Sequence, residues 1–118
     1  MSKRVLICDD ANFMRKLLGG TLKRLGHEVI GEAEDGVEAV NKYKLLKPDV
    51  VFMDVTMPNK DGVEAVKDII ALDSSAKIIM CSAMGQQGIV LDSLKAGAKD
   101  FVIKPFEKDR IADAISKI

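Results

Sequence analysis

The chain has 118 residues, 47% of them hydrophobic, a length and composition suited to one domain with its own core. Its 18 Lys and Arg balance 18 Asp and Glu, and the isoelectric point is near 6.6. That balance argues against bulk attraction to nucleic acid or to an anionic membrane surface. No apolar run approaches the roughly 18 residues a membrane-spanning helix needs. The run Val5–Cys8 is too short for a secretory apolar core of about 7–15 residues. The expectation is a cytoplasmic protein with no nucleic-acid partner and no membrane insertion.

In chain order, Val5–Cys8 reads as the first strand. Phe13, Leu17, Leu18, Leu22 and Leu25 follow at helical spacing on one face, and Gly26 ends that helix. Gly19-Gly20 inside it costs roughly 1 kcal/mol per glycine against alanine, and close packing on a neighbour is one possible use of the pair. A second strand surrounds Val29-Ile30. The next helix carries Val37, Val40 and Tyr43 and stops before Pro48. Val50–Met53 is the third strand. Val63, Val66, Ile69 and Ile70 mark a helix that ends at Asp73-Ser74-Ser75. Ile78–Cys81 is the fourth strand, Ile89–Ala96 a weaker helical stretch, and Phe101–Ile103 the fifth strand. Ile111, Ile115 and Ile118 close the pattern as a last helix.

Four of the five strand runs are continuously apolar, as strands buried on both faces of a parallel sheet are. The alternation predicts a (βα)5 α/β domain over residues 1–118, with right-handed crossovers and helices on both faces. Cys8 and Cys81 lie in apolar runs without a CxxC pair, and a single histidine completes no metal spacing, so both read as buried free thiols. His27 reads as a solvated loop residue, Met14 as packing, and Lys42, Lys44 and Lys47 as a solvated helix face.

In open α/β sheets functional groups gather beyond the carboxyl ends of the strands. Asp9 and Asp10 follow the first run, Asp54 the third, Ser82 the fourth and Lys104 the fifth. Glu32 and Glu34 follow the second, with no role to assign. Any one acid there reads as a helix cap. Asp9, Asp10, Asp54 and Lys104 together read better as a site. Three carboxylates this close force a pKa upward unless something neutralises them. A hard divalent cation does so, and oxygen-only ligands suit Mg2+, with Mn2+ or Ca2+ able to substitute. One carboxylate can then attack phosphorus to form an acyl phosphate, while the metal, Lys104 and Ser82 stabilise the phosphoryl oxygens.

These residues and their surroundings resemble the response-regulator receiver family, essentially from Lys3 to Ile118. The resemblance is carried by Val5-Leu6-Ile7-Cys8-Asp9-Asp10, by Met53-Asp54-Val55-Thr56-Met57-Pro58 with Asp61-Gly62, and by Ser82-Ala83. It is completed by Lys95-Ala96-Gly97-Ala98 leading into Lys104-Pro105-Phe106. Within the family, Cys81–Gln87 looks like the free-standing chemotaxis regulators of thermophiles and Gram-positive bacteria. The resemblance implies the flavodoxin-like strand order 2-1-3-4-5, for which such regulators are themselves a standing example.

It also implies roles. Asp54 is the expected phosphoryl acceptor. Asp10, Asp54 and the backbone carbonyl of Thr56 are the expected direct Mg2+ ligands, with Asp9 acting largely through water. Lys104 is expected to pair with Asp54 and then, with Ser82, to bond the phosphoryl group. Ser82 and Phe101 form the expected switch pair, and the bond before Pro105 is expected to be cis. Met84, Gln86, Gln87, Ile89 and Phe101 are the expected partner face, on the fourth helix, fifth strand and fifth helix. The implied partners are a chemotaxis-type histidine kinase, the flagellar motor switch protein and a phosphatase, with the chain itself a monomer.

Three departures stand out. Phe101 replaces the commoner Tyr, Ser82 replaces Thr, and Thr56 and Met84 stand where enteric members have polar and acidic groups. The last two flank the path of the hydrolytic water, so Met84 is expected to shield the acyl phosphate. Other classes fit less well. A haloacid-dehalogenase phosphohydrolase needs a second Asp where Thr56 stands. A flavodoxin-like FMN carrier needs a phosphate-cradling loop where Asp9 and Asp10 would repel the phosphate. Within receivers, the alternative is a phosphorelay intermediate passing phosphate to a histidine protein. The sequence ends just after the last helix, so output is expected through protein binding, with no external substrate turned over.

Overall fold

The computed structural model describes residues 2–118. Its elements are β1 (Arg4–Cys8), α1 (Asn12–Arg24), β2 (Glu28–Ala33), α2 (Gly36–Leu46), β3 (Val50–Asp54), α3 (Gly62–Leu72), β4 (Ile78–Ser82), α4 (Gln87–Ala96), β5 (Asp100–Ile103) and α5 (Lys108–Ser116). All pairings are parallel and the strand order is β2-β1-β3-β4-β5, the expected flavodoxin-like (βα)5 arrangement. No helix among the described residues is long and apolar enough to cross a membrane.

Local signals start the helices. The Asp35 carboxylate accepts from Glu38 N at 2.8 Å ahead of α2, and Asp61 accepts from Glu64 N at 2.9 Å ahead of α3. Each satisfies a backbone donor that has no partner within the helix. Two apolar cores then sandwich the sheet. Leu18 and Leu22 of α1 meet Ile111, Ala114 and Ile115 of α5 over Val5, Ile7, Val50 and Phe52. On the opposite face α2, α3 and α4 cover Leu6, Val51, Met53, Ile78 and Met80. Residues that alternate along one strand therefore feed two different cores, which is why β1, β3 and β4 are apolar apart from Arg4, Asp54 and Ser82 at their ends. Cys8 and Cys81 are buried free thiols, and burial pushes both pKa values up.

Several details differ from the sequence expectation. Phe13 is 72% exposed and Leu17 40%, so α1 buries a narrower stripe, and Arg15 takes an inward position. Val37 is likewise exposed, α2 burying Ala39, Val40 and Tyr43. The run Phe101–Ile103 of the fifth strand is apolar, yet Ile103 is exposed and Phe101 half-buried, because β5 lies at the sheet edge. His27 is half-buried, its Nδ1 accepting from Lys3 N at 3.0 Å. Lys42 donates to the Glu32 carbonyl, leaving Lys44 and Lys47 as the exposed lysines of that face.

The two glycine classes separate cleanly. A methyl group on Gly62 would overlap the Asp54 carbonyl oxygen, because the β3–α3 loop folds back until Gly62 N reaches Val55 O at 3.1 Å. That loop seats the end of β3 and needs the missing side chain. Gly19 and Gly20 need no such freedom. A methyl group at Gly19 would make ordinary contacts of 3.8 and 3.9 Å with Ile7 and Val29, and one at Gly20 would lie 3.6 Å from Arg24. Close packing therefore does not require this pair. Gly19→Ala and Gly20→Ala are each expected to stabilise the fold by about 0.5–1 kcal/mol in urea denaturation. Gly62→Ala is expected to cost at least about 2 kcal/mol, and equal effects at all three positions would contradict this reading.

Candidate functional site

Register sets the site. Cys8 lies opposite Met53, Asp54 opposite Cys81, and Ser82 opposite Ile103. The carboxyl ends of β1, β3, β4 and β5 are thus level. Asp9, Asp10, Asp54, Ser82 and Lys104 emerge along one edge, as their places in the sequence predict. Backbone bonds hold this rim: Lys104 N donates to Ser82 O at 2.8 Å and Val55 N to Cys81 O at 3.1 Å. The bond between Lys104 and Pro105 is cis, as the resemblance implies.

Carboxylate oxygens of Asp9, Asp10 and Asp54 all lie within 4.8 Å of one another. Asp9 and Asp54 are buried and Asp10 is exposed, so the cluster has a closed floor and an open mouth. Hard oxygen donors at this spacing are a donor set for a divalent cation. Lys104 Nζ sits 2.8 Å from Asp9 Oδ2 and 3.3 Å from Asp54 Oδ2. The ammonium is thus nearer Asp9, whereas the sequence reading paired it with Asp54. The other Asp9 oxygen accepts from Ala11 N at 2.9 Å, so both of its oxygens are engaged.

Burial pushes the Asp54 pKa up to about 6. Lys104 opposes this and the Asp9 charge adds to it. Burial works against the Lys104 charge as well, but its two carboxylate partners outweigh that and its pKa rises.

A buried arginine, not singled out in the sequence, holds the floor. Arg15 donates to the Asp9 carbonyl at 2.7 Å, to Glu32 at 2.8 Å and to Asn12 Oδ1 at 3.2 Å. Glu34 lies 3.7 Å away. Glu32 and Glu34, which had no role in the sequence reading, therefore face the cation that fixes the β1–α1 turn. An arginine in the first turn of the helix that follows Asp9 and Asp10 was the available signal.

The switch candidates also meet. Ser82 and Phe101 line a mostly apolar cavity of about 270 Å³ with Val90, Leu94 and Ile103. Phe101 also borders a second cavity of about 540 Å³, beside Met84, Lys104 and Arg110. Arg110 Cζ lies 6.0 Å from the Phe101 ring centroid, and the guanidinium bonds the Phe101 carbonyl and, at 2.9 Å, Asp100. Met84 is 81% exposed, Leu91 52% and Ile103 41%, an apolar surface around α4 and β5. Gln87 is exposed beside it. Ile89, expected on this face, instead lines the groove between α3 and α4 with Val63 and Lys67, because it sits on the other side of α4. Gln86 is not free there. Its carboxamide accepts from Ala83 N at 2.7 Å and lies 3.1 Å from Thr56 Oγ1.

The response regulator receiver domain family matches residues 5–116, and the chain belongs to that family. Its likeness within the family is to the CheY type, a class of chemotaxis signalling proteins rather than metabolic enzymes. The chemotaxis protein CheY of Thermotoga maritima is 56% identical over 118 residues, covering 100% of this chain and 98% of that protein. Bacillus subtilis CheY is 55% identical over 117 residues, covering 99% and 98%. A chain in the crystal structure of the CheX–CheY–BeF3–Mg2+ complex from Borrelia burgdorferi superposes with a TM-score of 0.91 at 38% identity, covering 97% of this chain and 87% of that one.

The raised Asp54 pKa has a signed consequence for stability. Between the unfolded value of 3.8 and about 6 the folded chain binds the extra proton, so stability falls as pH rises through that window. The penalty stands in full above it. In EDTA, Asp54→Asn is expected to stabilise the chain by about 1–2 kcal/mol at pH 7.5, the gain closing by pH 4. Urea denaturation at the two pH values checks this, and a gain equal at both would contradict the assignment.

Proposed function

We propose that the chain is a free-standing, Mg2+-dependent response regulator that takes a phosphoryl group from a histidine kinase onto Asp54 and signals by changing its α4-β5-α5 face. The observation that carries this reading is the acidic cluster with Lys104 Nζ lying between Asp9 and Asp54.

Asp54 is ionised near neutral pH and needs no general base. One of its oxygens forms the new bond to phosphorus as the bond to the donor's imidazole nitrogen breaks, and the imidazole leaves with the electron pair. Asp10, Asp54 and the Thr56 carbonyl would hold Mg2+, with Asp9 supporting through water; the ion would offset charge on the phosphoryl oxygens. Mn2+, with the same preference for oxygen ligands, is expected to substitute. Lys104, already 3.3 Å from Asp54, can turn to a phosphoryl oxygen there and so exchange one anionic partner for another.

The product adds close to two negative charges and strong acceptors beside Ser82. Ser82 turns toward them. Phe101, which borders two cavities, moves into the one that Ser82 lines. The surface of Met84, Gln87 and Phe101 then changes shape for a partner, which the CheY likeness suggests is the flagellar motor switch. Modification here shifts a two-state equilibrium. A monomer in the cytoplasm, meeting its kinase and a phosphatase in turn, completes the reading.

Incubation with acetyl phosphate and Mg2+ is expected to add one phosphoryl mass to the intact chain. No gain is expected in EDTA or in Asp54→Asn, and a gain in either would refute Asp54 and the ion as the working parts. A flagellar switch fragment is expected to retain the phosphorylated chain at least about tenfold better than the unmodified one. Retention independent of phosphorylation, with phosphate passing instead to a histidine protein, would replace signalling by phosphorelay.

A further inference from the structure

Gln86 immediately precedes α4, where the sequence reading made it part of the partner face. Its carboxamide points the other way. Oε1 accepts from Ala83 N at 2.7 Å, and Nε2 donates to Thr56 Oγ1 at 3.1 Å. Thr56 stands two residues beyond Asp54, and Ala83 directly follows Ser82. One side chain therefore ties the loop that leaves β3 to the loop that leaves β4. The tight return is made possible by Gly85, whose φ of +92° suits glycine. Met84, expected to shield the site, is instead 81% exposed and lies beside Phe101, Ile103 and Lys104.

We infer that Gln86 sets the lifetime of the phosphoryl group: its carboxamide straps the two loops together and restricts the entry of water to the aspartyl phosphate. The inference rests on the proposed acceptor role of Asp54. In hydrolysis, a water oxygen bonds to phosphorus while the bond from phosphorus to the Asp54 oxygen breaks. The carboxylate leaves with that electron pair, and the proton lost by water ends on the released phosphate or in solvent. The attacking and leaving oxygens lie roughly in line, so water must enter opposite Asp54, through the open side of the site. A carboxamide whose oxygen and nitrogen are each engaged by a loop is placed to exclude that water rather than to orient it. Gln86 is thus a positioning residue, acting through Thr56 and Ala83.

The test follows the loss of phosphoryl mass after acetyl phosphate is removed by desalting, in Mg2+. Gln86→Ala is expected to lose the group about threefold faster than the parent or more. Gln86→Met, equally long but without hydrogen bonds, is expected to resemble Gln86→Ala. Gln86→Glu keeps oxygens that can accept from Ala83 N–H and from the Thr56 hydroxyl, and is expected to return toward the parent lifetime. Thr56→Val removes the far anchor, and its combination with Gln86→Ala is expected to be no faster than the faster single variant. Should Gln86→Ala fail to fold by circular dichroism, Thr56→Val carries the decision. Unchanged lifetimes, or the same lifetime in the Met and Glu variants, would overturn the strap. Slower loss would make Gln86 an orienter of water and overturn it equally. A parent that takes up no phosphoryl group overturns the acceptor reading and the strap together. A parent that takes it up, with indifferent variants, overturns the strap alone.

Discussion

Carboxylates crowded onto one edge of a parallel sheet are the constraint from which the other features follow. Asp9 and Asp54 are buried within a few ångströms of each other, and among the described residues only Lys104 supplies a direct opposing charge to both. Burial already disfavours ionised Asp54, and the Asp9 charge adds to it. The folded chain therefore holds unfavourable electrostatic energy at neutral pH. Anything cationic that binds there relieves it and favours the ionised Asp54 carboxylate. Stability and reactivity are set against each other at the same atoms.

The rest of the fold serves to hold that edge in place. Arg15 fixes the β1–α1 turn through the Asp9 carbonyl and is itself neutralised by Glu32. Gly62 lets the β3–α3 loop close onto the end of β3. Two apolar cores clamp β1, β3 and β4 between helix layers, so the strand ends that carry Asp9, Asp54 and Ser82 have little freedom. Precision at the site comes from burial at some distance from it.

The opposite property appears at β5. As an edge strand it is only partly covered, and Phe101 stands between two cavities with Arg110 against its ring and carbonyl. A side chain with space on both sides can change place at small cost, whereas one in the close-packed centre cannot. On the proposed function, the rigid half of the sheet would hold the chemistry and the looser half would carry its consequence to a partner.

The sequence by itself determined the (βα)5 order, the strand runs and the presence of Asp9, Asp10, Asp54, Ser82 and Lys104 beyond strand ends, because period and punctuation are local properties. Motif resemblance added the strand order and the cis bond before Pro105. Tertiary structure alone decided which face of α1 is buried, since Phe13 and Arg15 can be ranked only once the neighbours are known. It decided that Lys104 lies nearer Asp9 than Asp54, that Glu32 answers Arg15, and that Arg110 braces Phe101. It also turned Gln86 inward to Thr56, a partner 30 residues away. Each of these is a contact between side chains remote in sequence, set by packing distances and the need of buried polar groups for partners, and no periodicity in the chain records them.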